Sequence, residues 1–143
     1  MSKKTIIVSN RLPVTVNKDG DGTLSFRPSS GGLATGLSTT YKQGGNLWIG
    51  WPGTYDHSVE EKKHIEKELK NDNMAPVYLT KTDVNKFYEG YSNKTLWPLF
   101  HYFTEYATYE KDLWDSYVHV NELFLNAILE HAEPEDTIWV HDY

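Results

Sequence analysis

Thr5-Ile6-Ile7-Val8-Ser9 is the stretch on which the fold turns. It is apolar and β-branched with no charge inside it, the pattern of a strand buried on both faces, and strands of that kind belong to parallel sheets covered by helices. Two further runs share this character, Leu47 to Trp51 and Thr137 to Val140, with a third strand predicted over Pro76 to Leu79. Between them the apolar spacing becomes helical. Leu33 to Lys42 follows Ser29-Ser30-Gly31-Gly32 and stops at Gly44-Gly45. Ser58-Val59-Glu60-Glu61 is a capping-box start for a helix reaching about Lys70. Thr82 to Tyr91 reads as a helix ahead of the aromatic segment at Trp97. Leu113, Tyr117, Val120, Phe124 and Ile128 mark one face of a long helix over Tyr109 to His131.

One interruption breaks the alternation. Val14-Thr15-Val16 and Leu24-Ser25-Phe26 flank Asp19-Gly20-Asp21-Gly22, and Asp-Gly between alternating runs signals a hairpin. The sequence therefore predicts an α/β domain: a Rossmann-like, doubly wound, mostly parallel sheet with an inserted β-hairpin. One domain is expected over residues 1–143. The chain ends at His141-Asp142-Tyr143, at a strand's carboxyl edge with no covering helix after it, which reads as a domain cut short.

Charge and composition narrow the function. Fourteen basic residues face 20 acidic ones, a net of −6, which argues against general binding to nucleic acid or to an anionic membrane. Any phosphate must be held by a few placed groups. Cysteine is absent, so disulfides and thiolate metal sites are excluded. The apolar run after Met1-Ser2-Lys3-Lys4 is too short for a signal peptide or a membrane span, and a soluble cytoplasmic domain is expected. Five Trp, ten Tyr and five Phe are either core or the wall of a sugar site, where a flat ring with a polar edge suits a pyranose.

Ligands of open α/β sheets bind outside the carboxyl ends of the strands. That rim should carry Asn10 and Arg11, Trp51, and His141 and Asp142, with the Ser29 to Gly32 turn beside them. Arg11 suits a phosphate because guanidinium stays charged and bonds in a bidentate fork; the alternative is a surface ion pair. Gly31-Gly32 at a helix start suits a diphosphate, through bare backbone and free N–H groups; the alternative is a plain turn. It does not fit G-x-G-x-x-G, which weakens a nucleotide-dependent oxidoreductase. Asp142 can accept from a sugar hydroxyl, or cap a helix. His141 and His101 read equally well as structural residues. No spacing suggests a metal site, and no cofactor is called for.

Ile6-Ile7-Val8-Ser9-Asn10-Arg11-Leu12-Pro13, Ser29-Ser30-Gly31-Gly32-Leu33-Ala34-Thr35-Gly36 and Trp48-Ile49-Gly50-Trp51-Pro52-Gly53 form one block of ordered motifs. Tyr88-Glu89-Gly90-Tyr91-Ser92-Asn93 with Leu96-Trp97-Pro98-Leu99-Phe100-His101-Tyr102, and Ile138-Trp139-Val140-His141-Asp142-Tyr143, form another. In content and order they resemble the opening of the trehalose-6-phosphate synthase family, over essentially the whole chain. The resemblance implies a GT-B arrangement of two Rossmann-like domains, this chain being the N-terminal, acceptor-binding one. It implies retaining transfer of glucose from UDP-glucose to glucose 6-phosphate, without a metal. The leaving diphosphate is thought to assist attack from the same face, neutralised by basic residues of a second domain. By motif, Arg11 would hold the acceptor phosphate with help from Tyr88. Trp51 and Trp97 would shape the acceptor pocket, Asp142 would bond the acceptor glucose, and Gly31 and Gly32 would meet the donor diphosphate. Asp142 is the catalytic candidate and the other six bind substrate. The resemblance leaves room for a homo-oligomer and implies that this stretch alone is inactive. A non-catalytic sugar-phosphate-binding module is the rival reading.

Overall fold

A computed structural model describes residues 3–42 and 45–143, except for the side chains of Ser38, Thr40 and Lys42. The predicted helix stop at Gly44 lies outside the described residues. The chain divides into two compact units, one formed by residues up to Tyr78 together with Ala127–Asp142, the other by Leu79–Asn126 with Tyr143.

The first unit is built on a four-stranded sheet. Its strands are β1 (Thr5–Arg11), β4 (Leu47–Trp51), β5 (Met74–Pro76) and β6 (Thr137–Val140). They lie in the order β5-β4-β1-β6, and every pairing is parallel. Numbered among themselves these strands run 3-2-1-4, the opening of the Rossmann-type doubly wound order. The apolar run that predicted this sheet is buried as expected: Ile6 and Ile7 are both 0% exposed. Helices α1 (Gly32–Lys42) and α2 (Val59–Asn71) cover one face of the sheet, the face on which the register neighbours Ile7, Trp48 and Met74 lie. Tyr41 of α1 and Ile65 and Leu69 of α2 pack with Ile7, Trp48 and Met74 of the sheet in one core.

The predicted hairpin is present as β2 (Val14–Lys18) and β3 (Leu24–Pro28), an antiparallel pair forming its own two-stranded sheet. Asp19 N–H bonds Thr23 O at 2.9 Å and Gly22 N–H bonds Asp19 O at 2.9 Å, with Gly22 at φ 86. Glycine meets that left-handed turn at no steric cost. Val16 of the hairpin joins the core. The capping box also forms: Ser58 Oγ accepts from Glu61 N–H, and Glu61 accepts from Ser58 N–H.

The third strand differs from expectation. The ladder spans Met74–Pro76, not Pro76 to Leu79. After Val77 N–H bonds Gly50 O at 2.8 Å the chain leaves the sheet, although Val77 and Leu79 stay buried. Apolar alternation marked the burial there and not the hydrogen bonding.

The second unit is helical. Where the sequence predicts a helix over Thr82 to Tyr91, a helical stretch runs through α3 (Lys81–Asp83), a π-helix over Val84–Leu96 and α4 (Trp97–Phe100). It is followed by a 3₁₀ turn at Thr104–Tyr106 and by α5 (Lys111–His131), whose last turn belongs to the first unit. Aromatic rings join the two long helices: Phe87 stacks on Tyr117 with centroids 5.8 Å apart, and Tyr91 lies 4.8 Å from Tyr117 and 5.4 Å from Trp114. Gly90 permits this approach, because a Cβ there would lie 2.8 Å from Leu113 Cδ2 and 3.2 Å from Asn85 O. Among the described residues no helix is long and apolar enough to cross a membrane.

Candidate functional site

In a parallel sheet all carboxyl ends fall on one edge, and ligands bind where the strand order reverses. Here the order reverses between β1 and β6. Arg11 ends β1, and Asp142 lies two residues past the end of β6. Neighbouring strands sit about 4.8 Å apart, so the two residues flank the switch at close range, with Trp51 at the end of β4 on the other side of β1.

The backbone at Arg11 is shaped by β4. The β1–β4 register shifts between Val8 and Arg11, so that Arg11 falls opposite Trp51. The approach is close enough that a Cβ on Gly50 would lie 2.9 Å from both Ser9 O and Leu12 N. Ser9 pins the end of the strand: its buried hydroxyl accepts from Trp48 Nε1 at 2.8 Å and donates to Arg11 O at 2.7 Å. Leu12 N–H then bonds Trp51 O at 2.9 Å.

The Arg11 side chain is preset. Nη2 donates to Thr15 Oγ1 at 2.8 Å, and the guanidinium carbon stands 5.5 Å from the Trp51 ring centroid. Gly53, at φ 88, clears the space, since a Cβ there would come within 2.5 Å of Nη2. One of five donors is used on Thr15, and the others remain available to an anion. Trp51 is 7% exposed, so it is a platform beneath Arg11 more than an open wall. Its ring is 5.1 Å from Tyr55, and Nε1 donates to Thr54 O at 3.1 Å. Thr54 Oγ1 is in turn 2.8 Å from His57 Nε2. His57 has a side chain only 2% exposed, and burial pushes its pKa down, keeping the imidazole neutral.

The glycine turn joins the same unit. Thr15 Oγ1 is 2.8 Å from Ser29 Oγ, and Ser29 N–H bonds Pro13 O at 2.7 Å. Gly31 O accepts from Thr35 N–H at 3.0 Å and from Thr35 Oγ1 at 2.9 Å, which makes Gly31 the residue before the first turn of α1. The N–H groups that open a helix have no intrahelical acceptor and carry the positive end of its dipole. No Cβ-sized obstacle lies within 4 Å of Gly31 or Gly32, so a ligand can reach their backbone. A cavity of about 440 Å³ borders the turn, lined by Pro13, Pro28, Ser29, Ala34 and Thr35 among others. A second, of about 450 Å³, lies beside Lys4, Asn46 and Met74, and Met74 lines both. Neither cavity is lined by Arg11 or Asp142.

Asp142 is exposed and sits at φ 67, a left-handed conformation uncommon outside glycine but tolerated by Asp. The backbone before it is anchored, His141 N–H donating to Val8 O at 2.8 Å. Asn10 Oδ1 and His141 Nε2, also at these strand ends, are buried and have no hydrogen-bond partner among the described residues. Buried polar atoms are normally partnered, which makes both polar handles at the switch.

Tyr88 and Trp97 belong to the second unit and are described there. They are 40% and 46% exposed. In an α-helix a separation of nine would put them on opposite sides. With hydrogen bonds running i→i+5 each turn takes more residues, so the stretch from Tyr88 to Trp97 comes closer to two full turns. Trp97 is stacked by His101 at 4.1 Å, and His101 Nδ1 is 2.7 Å from Trp97 O. Ser9, Thr15, Gly53 and His57 were not found from sequence. Only Gly53, in the Pro-Gly that closes β4, carries a local signal. Among the described residues no three His, Asp or Glu side chains converge to hold a metal ion.

Residues 3–143 match the profile of glycosyltransferase family 20. The chain is 43% identical to an alpha,alpha-trehalose-phosphate synthase (UDP-forming) of Botryotinia fuckeliana, covering 99% of this chain and 27% of that one. An alpha,alpha-trehalose-phosphate synthase (UDP-forming) from Burkholderia xenovorans, solved in complex with glucose-6-phosphate, superposes with a TM-score of 0.68 at 32% identity over 98% of this chain and 28% of that one. The E. coli trehalose-6-phosphate protein solved with UDP-2-fluoro glucose gives a TM-score of 0.70 at 31% identity, with coverage of 99% and 28%. The chain spans between 19% and 28% of the length of such curated relatives.

Proposed function

Because the chain belongs to glycosyltransferase family 20, we propose that it is the N-terminal, acceptor-binding part of a retaining glucosyltransferase. The complete protein moves glucose from UDP-glucose to glucose 6-phosphate, forming trehalose 6-phosphate in the cytoplasm. Arg11 holds the acceptor phosphate, assisted by Tyr88. Asp142 accepts a hydroxyl of the acceptor glucose, and Trp51 and Trp97 shape its pocket. Gly31 and Gly32 present backbone N–H groups to the donor diphosphate. The observation that carries this reading is the place of Arg11 and Asp142 at the carboxyl ends of the neighbouring strands β1 and β6, with the cation preset on Trp51 and Thr15.

The chemistry follows from that placement. A guanidinium fork fixes a phosphate in orientation as well as in position. A carboxylate one strand away can then select the hydroxyl of the attached sugar. Holding the acceptor beside the donor's anomeric carbon lowers the barrier through orientation. Helix-start N–H groups stabilise the negative charge that grows on the leaving diphosphate. No acid–base pair within this chain is required.

Arg11→Ala in the complete protein tests the assignment. Loss of a charge-assisted contact costs about 1.5–3 kcal/mol, so KM for glucose 6-phosphate should rise roughly 10- to 150-fold, with KM for the donor little changed. Unchanged acceptor kinetics would remove Arg11 from the site.

A further inference from the structure

We propose that Thr15 is a positioning residue that couples the two substrates: its hydroxyl links the acceptor's arginine to the turn that receives the donor. The inference rests on Arg11 and the glycine turn having the roles just proposed.

The first link of the relay has a fixed direction. Guanidinium only donates, so in the 2.8 Å contact Thr15 Oγ1 is the acceptor from Arg11 Nη2. Thr15 Oγ1 also lies 2.8 Å from Ser29 Oγ, and either hydroxyl can be the donor, because Thr15 Oγ1 keeps a second lone pair beside the one used on Arg11. The Ser29 backbone is held through its N–H to Pro13 O at 2.7 Å. Gly31 and the start of α1 at Gly32 follow two and three residues later. A chain of hydrogen bonds thus joins β1, β2 and the segment leading into α1. Chains of this kind polarise and order one another, so a change at one end is felt at the other.

Thr15 is also sterically committed. A Cβ on Gly53 would lie 3.1 Å from Thr15 Cγ2, so the methyl packs on the turn after β4 while the hydroxyl bridges. Rotating the side chain to release either oxygen contact would lose that packing. A phosphate on Arg11 narrows the positions open to the guanidinium and so orders Thr15 and Ser29 before the donor arrives. Coupling is reciprocal by thermodynamic necessity, so a donor diphosphate at the turn tightens the acceptor in the same ratio.

The test is calorimetry on the complete protein, measuring glucose 6-phosphate affinity with and without saturating UDP. The unsubstituted protein should bind glucose 6-phosphate about fivefold or more tightly when UDP is present. Thr15→Val keeps the shape and removes the hydroxyl; it should bring that ratio to one. Thr15→Ser should restore it, and Ser29→Ala, which breaks the far end, should abolish it again. Melting curves in the unsubstituted range identify the variants that are folded. A ratio that survives in folded Thr15→Val, or a ratio of one in the unsubstituted protein, overturns the relay. If Arg11→Ala leaves glucose 6-phosphate affinity intact, the acceptor assignment itself has failed and the relay falls with it.

Discussion

Arg11 is held by three neighbours that each solve a different problem. Thr15 fixes one nitrogen at 2.8 Å, the Trp51 ring supports the guanidinium at 5.5 Å, and Gly53 leaves room where any Cβ would collide. A preset cation loses less freedom when it binds an anion, which is why the neighbours bear on affinity. The arginine was legible in the sequence as a charge at a strand end, and Asp142 likewise. Thr15 was not, because it reads as an ordinary β-branched strand residue; only the fold brings it to Arg11. His57 was silent for a similar reason, since its link to Trp51 runs through Thr54. That histidine carries a pH prediction. Burial is the main cause of its lowered pKa, with nearby Lys18 and Lys62 adding to the effect and Glu61 and Asp56 opposing it. The unfolded chain therefore takes up a proton near the ordinary value of 6.5, while the folded one resists until lower pH. Stability should fall as pH drops below about 6.5 and level off once the folded imidazole is also protonated. His57→Gln should flatten that part of a pH–melting profile; an unchanged slope would show that His57 is not its source.

Among the elements, the strands were the easiest to read and the helical second unit the hardest. Ile6 to Val8, Leu47 to Trp51 and Thr137 to Val140 announce themselves by uninterrupted apolar, β-branched or aromatic character, and each pairs in the sheet. The π-helix had no comparable signal. Its residues at Val84–Leu96 carry apolar side chains at spacings that an α-helix also uses, and the extra residue per turn comes from backbone hydrogen bonding that side-chain type does not encode. Tyr88 and Trp97 were accordingly tied together by family resemblance and not by helical geometry. The β1–β4 contact is the element on which the rim depends. Gly50 lets the strands close to the point where a Cβ would stand 2.9 Å from two backbone atoms, neither of which can rotate away. Gly50→Ala should therefore destabilise the protein by about 1–3 kcal/mol, the range of overpacked core sites. Thermal melting reads this directly, at roughly 3–4 °C per kcal/mol for a chain of this size. A melting temperature within a degree of the unsubstituted protein would mean that the strands separate at no cost, and that Arg11 is not held by their contact.

For the molecule as a whole, the claim is that a parallel sheet of order β5-β4-β1-β6 presents one cation, one carboxylate and one helix start at a single edge. The net charge of −6 makes such concentration necessary, because no general positive field draws phosphates in. β6 pairs with β1 in parallel, Val8 opposite Val140. Its register against β1 sets where Asp142 stands. The most direct measurement is a crystal structure of the complete protein with glucose 6-phosphate bound. Phosphate oxygens should lie about 2.7–2.9 Å from Arg11 nitrogens, with a sugar hydroxyl on the Asp142 carboxylate. A phosphate held elsewhere, with the Arg11 guanidinium still bonded only to Thr15, would contradict the account.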